Sequence, residues 1–358
     1  MGGFFSVPNK VDEEEEQSTI ENKSYDYTGQ TAVPIVICYS YIGTGYHGLQ
    51  QNLDQKTIER DLLKVIVDSD LIDPDMIKYL SKIRWSQASR TDAGVHSAAQ
   101  VVSFNSHFPP GMKLHQVLNL LNSKNEFPSN IWFRSVISVG NQFNAQKYAE
   151  YRKYHYLMPL SAFRDSNLND IKEKVLPLFI GDKNFHNYTR KVSFNNPSAI
   201  RTITDFDISE PFEISGEKYV LWLIRGKSFM INQIRKMIAT VLAVSYKVLT
   251  IEQLERTFSA EKWALARLPG EGLFLDKVEY PGFMSAARKR KDFEGSDKDV
   301  EFGNVRGEIE KWKKEVLFPH IAKLVKENDV FNNWIQNVLL LYPPHPASEE
   351  SKYQKAPE

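Results

Sequence analysis

Arg84-Trp85-Ser86-Gln87-Ala88-Ser89-Arg90-Thr91-Asp92-Ala93-Gly94-Val95-His96-Ser97-Ala98-Ala99-Gln100-Val101-Val102-Ser103-Phe104 is the stretch around which this chain is organised. It reads as strand, polar loop, strand. Ile83–Gln87 can leave a sheet, and Gln100–Phe104 alternates polar and apolar residues as a half-buried strand does. The loop holds one carboxylate, Asp92, between Arg90 and Gly94. Two readings are open. Asp-Ala-Gly is ordinary turn chemistry, with Gly94 supplying a positive φ. Alternatively, Asp92 is a carboxylate kept ionised by a neighbouring guanidinium and presented at the mouth of a cleft.

Outward from this stretch the pattern repeats in kind. Val33–Tyr39 predicts a strand, followed by a Gly-rich loop that fails as a dinucleotide fingerprint because its third glycine comes too early. Thr57 is placed to cap a helix to about Ser69, and Asp73-Pro74 starts a short helix to Leu80. Lys113–Asn122 has helical periodicity and Ile131–Val139 alternates as a strand. A second unit follows: strand Tyr151–Leu157, helix Leu168–Phe179, strands Thr202–Ser209 and Tyr219–Arg225, a long helix Met230–Val248 capped by Ser228, a short helix Ile251–Phe258 and a strand Gly272–Val278. The order predicts an α+β fold: two ferredoxin-like, RRM-like subdomains sharing a mixed, mainly antiparallel sheet with a central cleft, plus a C-terminal helical extension. The expected divisions are a disordered acidic tail over 1–31, αβ subdomains over 32–150 and 151–283, a charged linker over 284–302, helices over 303–342 and a disordered tail over 343–358.

The 358 residues are 42% apolar and 25% charged, as in globular proteins. One cysteine, Cys38, excludes an internal disulfide framework, argues against a thiolate metal site and fits a reducing compartment. No apolar run approaches a membrane span, and Met1–Ser6 lacks the basic region and long apolar core of a secretory signal. Its match to a myristoylation pattern is short enough to arise by chance. Net charge is zero, but the signs segregate. Acid collects in the tails, and base at Arg152-Lys153, Arg190-Lys191, Arg225–Lys236 and Arg288–Lys291. A neutral total therefore conceals the makings of a basic cleft.

Arg90-Thr91-Asp92-Ala93-Gly94-Val95-His96 resembles the signature of the TruA-type pseudouridine synthases. Other motifs resemble the family's in the same order: Tyr46-His47-Gly48-Leu49-Gln50, Arg152-Lys153-Tyr154-His155-Tyr156, and Leu268-Pro269-Gly270-Glu271-Gly272-Leu273-Phe274-Leu275. Three further segments are similar to the eukaryotic Pus1 branch: Phe185-His186-Asn187-Tyr188-Thr189, Ser228–Met237, and Lys313–Ile321 with Trp334. Ala93 departs from that branch, where Lys is usual, and leaves the Pus3 branch as an alternative. The resemblance covers about residues 33–342.

The resemblance implies a tRNA pseudouridine synthase without a cofactor. Asp92 is its catalytic group, either as nucleophile at C1′ or as base toward the 2′ proton. Arg235 pairs with and orients Asp92, Arg90 fills the space of the flipped base, Tyr154 stacks on the uracil, and Leu273 lines the uracil pocket. Arg152 joins Tyr154 on one strand face toward the RNA. His186 is read as structural, and no cluster of ligands argues for a metal. Partners implied are tRNA, with small nuclear and messenger RNA as further substrates; a monomer is favoured over a dimer, and the nucleus over the cytoplasm or the mitochondrion, with Arg288–Lys291 a candidate nuclear signal or else a basic linker touching RNA. Two other functions fit the same residues: a non-catalytic RNA-binding module, which would not need Asp92, and an Asp-dependent glycosidase releasing free uracil.

Overall fold

A computed structural model describes residues 32–52, 54–107, 111–125, 130–164, 168–289 and 299–348. The first half runs β1 (Val33–Tyr41), α1 (Ile58–Asp68), β2 (Ser86–Gln87), β3 (His96–Ser106), α2 (Leu114–Lys124) and β4 (Ile131–Ser138). The second runs β5 (Tyr151–Pro159), α3 (Leu168–Asp170), β6 (Gly181–Asn184), β7 (Ile200–Ile208), β8 (Phe212–Ile214), β9 (Glu217–Gly226), α4 (Gln233–Ser245), α5 (Ile251–Arg256), β10 (Trp263–Ala264) and β11 (Leu273–Glu279). Helices follow: α6 (Pro281–Arg288), α7 (Arg306–Trp312), α8 (Phe318–Glu327) and α9 (Val330–Trp334).

One sheet joins the halves in the order β4-β1-β3-β11-β5-β9-β7-β6, with β2 also on β3 and β8 also on β9. Each half thus has the ferredoxin-like order, β4-β1-β3-β2 and β11-β5-β9-β7. Every pairing of this sheet is antiparallel except one: β3 and β11 run parallel through Phe274↔His96 and Leu275↔Ser97. The shortness of β2 makes that seam possible. β2 occupies the edge of β3 only at Ser103 and Val102, which leaves the start of β3 for β11.

Strand β1 shows why the sheet is buried on both faces. Ile35, Ile37, Tyr39 and Tyr41 enter one core with Leu62 and Ile66 of α1 and Val117 and Leu121 of α2, whereas Val36 and Cys38 enter the other. The period of two sends alternate side chains to opposite layers. β3 is buried along almost its whole length. The half-buried alternation expected there does not hold, because helices cover both sides.

The second core holds the helical extension. Trp312 meets Trp132 of β4 at 5.1 Å, Phe318 meets Phe274 of β11 at 6.0 Å, and Phe331 meets Tyr156 of β5 at 6.1 Å. The extension therefore clamps both halves and the seam between them. Asp276, fully buried on β11, accepts from Lys313 at 2.7 Å and from Arg306 at 2.8 and 3.0 Å.

Several boundaries shift for local reasons. Thr57 caps α1 as expected, accepting from Arg60 N. The Asp73-Pro74 segment forms a 3-10 helix over Pro74–Tyr79. The run after α3 continues as a π turn and then a 3-10 turn, with Pro177 in the last of these. Helix α4 begins at Gln233 and not at Met230, and Ser228 is not its cap, because Asn232 sits at φ +65 and interrupts the helical course. The linker expected from 284 begins later, since α6 runs to Arg288; residues 290–298, and with them Arg290-Lys291, lie outside the described residues, as do 1–31 and 349–358. Within the expected C-terminal tail, His345–Pro346 pairs with β10 as a short strand, β12. Among the described residues no helix is long and apolar enough to cross a membrane.

Candidate active site

The parallel seam sets two loops side by side, because parallel strands begin at the same end of a sheet. One is Ala88–Val95, leading into β3. The other is Leu268–Gly272, leading into β11. The first loop leaves β3 through Ala88 N to Val101 O at 2.9 Å and Gln100 Nε2 to Ser89 O at 2.8 Å. It is pinned to the Gly-rich loop by Leu49 N to Thr91 O at 3.1 Å and Gly94 N to Tyr46 O at 3.2 Å, and to the end of β1 by the Tyr41 hydroxyl, 2.7 Å from Thr91 Oγ1. Gly94 takes the positive φ of +76 that the turn chemistry calls for. The turn reading and the presented carboxylate therefore describe the same loop.

All six residues expected at a site, Arg90, Asp92, Arg152, Tyr154, Arg235 and Leu273, line one cavity of about 560 Å³. Asp92 is half-buried and is the sole carboxylate among the lining residues, which include five arginines. Arg90 is exposed at the mouth. Leu273 opens β11 opposite Tyr156.

Tyr154 is buried on β5. Its hydroxyl lies 2.7 Å from Ser89 Oγ and its ring stands edge-on to Phe229 at 5.4 Å. Burial raises its pKa, so the phenol stays protonated around neutrality. Arg152, two residues earlier, is spent differently from the expectation. Its guanidinium donates to four backbone carbonyls: Ala149, Lys227 and Ala88 at 2.9 Å and Gln146 at 3.3 Å. It brackets β5 to the start of the Asp92 loop, with few donors left for a ligand.

Arg235 comes from the first turn of a helix buried nearly all round, where only Lys236 and Val244 escape full burial. Its Nε donates to Leu268 O at 2.6 Å. A methyl group at Gly270 would stand 3.2 Å from Ala93 O, tighter than ordinary contact, so Gly270 lets the loop entering β11 approach the Asp92 loop. Burial lowers the pKa of Arg235, and the nearby Tyr156 and Asp92 oppose that effect. The expected direct ion pair between Arg235 and Asp92 is not formed among the described residues: the guanidinium is tethered to the loop entering β11, and Asp92 lines the cavity.

Residues beyond the expected set share the cavity. Arg201 of β7 lines it, with a buried Nε that lacks a partner, and no motif marks this residue in the sequence. Ile231 lines the mouth at 67% exposure, held out of α4 by the turn at Asn232. His96 was legible only as part of the Asp92 motif.

A family model described as tRNA pseudouridine synthase matches residues 176–281. The human protein named pseudouridylate synthase 1 homolog is 29% identical over 85% of this chain and 72% of its own length. The tRNA pseudouridine synthase 1 of Kluyveromyces lactis is 24% identical over 90% of this chain and 73% of its own. The tRNA pseudouridine synthase A of Methanosphaera stadtmanae is 29% identical over 75% and 90%. Two ferredoxin-like halves meeting at a parallel seam, a lone carboxylate in an arginine-lined cavity beside that seam, and relatives that span most of the chain agree: the chain is similar to the TruA-type pseudouridine synthases and is Pus1-like.

Proposed function

We propose that this chain isomerises uridine to pseudouridine in tRNA, with Asp92 as the group that starts the reaction. The observation that carries the reading is the single carboxylate in a cavity lined by five arginines and floored by a protonated tyrosine. Such a cavity attracts a polyanion, and its one anion has no competitor for the reacting sugar.

The chemistry requires the N1–C1′ bond to break, the uracil to turn, and a C5–C1′ bond to form. The C5 proton leaves to water and N1 takes up a proton, so nothing is gained or lost overall. A base stacked in RNA must first be flipped out, at a cost of a few kcal/mol. Arg90, exposed at the mouth, takes the place of the flipped base. Tyr154 stacks on the uracil, and Leu273 closes the pocket. Arg235 holds the β11 loop against the Asp92 loop and supplies positive charge behind the carboxylate.

Small nuclear and messenger RNA are further substrates on this reading, the chain acts as a monomer, and it works in the nucleus. The exposed Arg288-Lys289 at the end of α6 supports the nuclear location as part of the basic cluster.

Tritium release from tRNA labelled at uridine C5 tests the proposal. Wild type releases label without freeing uracil, and Asp92→Asn loses release by at least about 10³-fold while still binding tRNA. Free uracil as the product would replace the isomerase by a glycosidase. Tight tRNA binding without release from any labelled RNA would replace it by a binding module.

A further inference from the structure

A second cavity of about 1050 Å³ adjoins the first and shares Thr189, Arg190 and Val192 with it. One wall is the segment His186–Phe194, and another is β10 with its neighbours. The far wall is the end of the helical extension, Val338, Tyr342 and His345, fixed by the pairing of β12 with β10. No carboxylate lines this cavity, whereas Arg190, Lys191, Lys236 and Lys262 do. None of the four takes part in an ion pair among the described residues.

Lys236 is the most constrained of them. Its ammonium donates to Asn187 O at 3.0 Å and Thr189 O at 3.5 Å, which leaves one N–H unused. Burial, then the cations Arg190 and Arg267, bring its pKa down to about 8. An ammonium held among guanidinium groups without a counter-charge is stabilised by any anion that joins it.

His186 stands on the same wall. It is 9% exposed and lines the cavity, with its ring held by Asn184 and by the Glu261 backbone carbonyl. Nδ1 lies 3.1 Å from Asn184 Oδ1. Phe194 stands edge-on to His186 and is 37% exposed, and Tyr342 is half-buried, so two aromatic faces rim the same space.

We propose that this second cavity is a nucleotide subsite, which takes a phosphodiester and the adjoining ribose of the same RNA strand whose target uridine enters the first cavity. The phosphate sits among Lys236, Arg190 and Lys262, and the base on Phe194 or Tyr342. The helical extension thus supplies part of the RNA site. The proposal rests on the RNA reading above and deepens it.

Fluorescence anisotropy with end-labelled tRNA, read as Kd against salt, tests the subsite. The cavity variant is Lys191→Glu with Lys262→Glu; both side chains are exposed, so folding is not at stake. The control is Lys311→Glu with Lys323→Glu, the same charge change on the outer side of the extension. The cavity variant is expected to weaken binding at least tenfold at moderate salt and to reduce the slope of log K on log salt by about 1.5. The control stays within twofold. Tyr342→Ala weakens binding about fivefold or more with the salt slope unchanged. Unchanged binding in the cavity variant, or equal weakening in the control, overturns the subsite. Tritium release by wild type is measured alongside. Release with an unaffected cavity variant removes the subsite alone. Binding without release, with the cavity variant's loss intact, removes the synthase reading alone.

Discussion

His96 Nε2 lies 3.1 Å from the carbonyl oxygen of Glu271, while His96 Nδ1 accepts from Gly43 N–H at 3.0 Å. The acceptor role of Nδ1 places the ring proton on Nε2. One imidazole at the head of β3 therefore ties together the Gly-rich loop, the Asp92 loop and the loop entering β11. Across the extension, His320 packs edge-on against it at 5.7 Å and bonds Thr44 at 2.8 Å. His96 is a positioning residue for Asp92 and does not touch the cavity.

That role has a pH signature. Burial, followed by the neighbouring His320, lowers the His96 pKa to about 3. The unfolded chain takes up this proton near pH ~6.5. The stabilisation from neutral His96 is therefore complete above that pH and is lost as pH falls toward about 3. The slope is about 1.4 kcal/mol per pH unit. Urea midpoints between pH 7 and 5 should fall less steeply for His96→Gln than for wild type. Identical slopes would remove His96 from this account.

The bracket formed by Arg152 separates geometry from charge. If its guanidinium serves four carbonyls, Lys cannot replace it, because an ammonium lacks the planar fork. Arg152→Lys is expected to lose ~1–3 kcal/mol of stability and more than tenfold in kcat, with tRNA Kd nearly retained. A variant of full stability and activity would show that only the charge matters.

Tyr154 offers a test of stacking against proton transfer. Tyr154→Phe loses the Ser89 hydrogen bond and keeps the ring against Phe229. Turnover should fall less than about tenfold in Tyr154→Phe and more than about a hundredfold in Tyr154→Ala, in proportion to ~1–3 kcal/mol for base stacking. A Phe variant as poor as Ala would assign the hydroxyl a direct part in the chemistry.

Asp276 couples the extension to the seam. Burial opposes its ionisation, but His155, Lys313 and Arg306 together outweigh burial and lower its pKa. Lys313 is itself 3% exposed, so Asp276→Ala strands a buried ammonium that keeps only Glu310 as a carboxylate partner. The expected loss is ~3–5 kcal/mol by denaturant unfolding. Adding Lys313→Met should recover part of it in a double-mutant cycle. Strict additivity of the two changes would mean that they do not interact.

The order of elements, the two ferredoxin-like halves and the loop that carries Asp92 are legible in the amino-acid sequence alone. Each is a local matter: period-two alternation in the strands, helical periodicity in α1, α2 and α4, and turn chemistry at Asp92–Gly94. The motifs also named Arg90, Tyr154, Arg235 and Leu273 without any coordinates. Only the tertiary structure decided that β11 pairs parallel with β3, because strand register across a seam depends on which edge β2 leaves open. Arg152 turned inward to four carbonyls and Arg235 fastened to Leu268, since hydrogen-bond partners come from residues far along the chain. Arg201 and the cavity beneath Tyr342 had no sequence signal, because a lone arginine on a strand gains meaning only from what the fold sets opposite it.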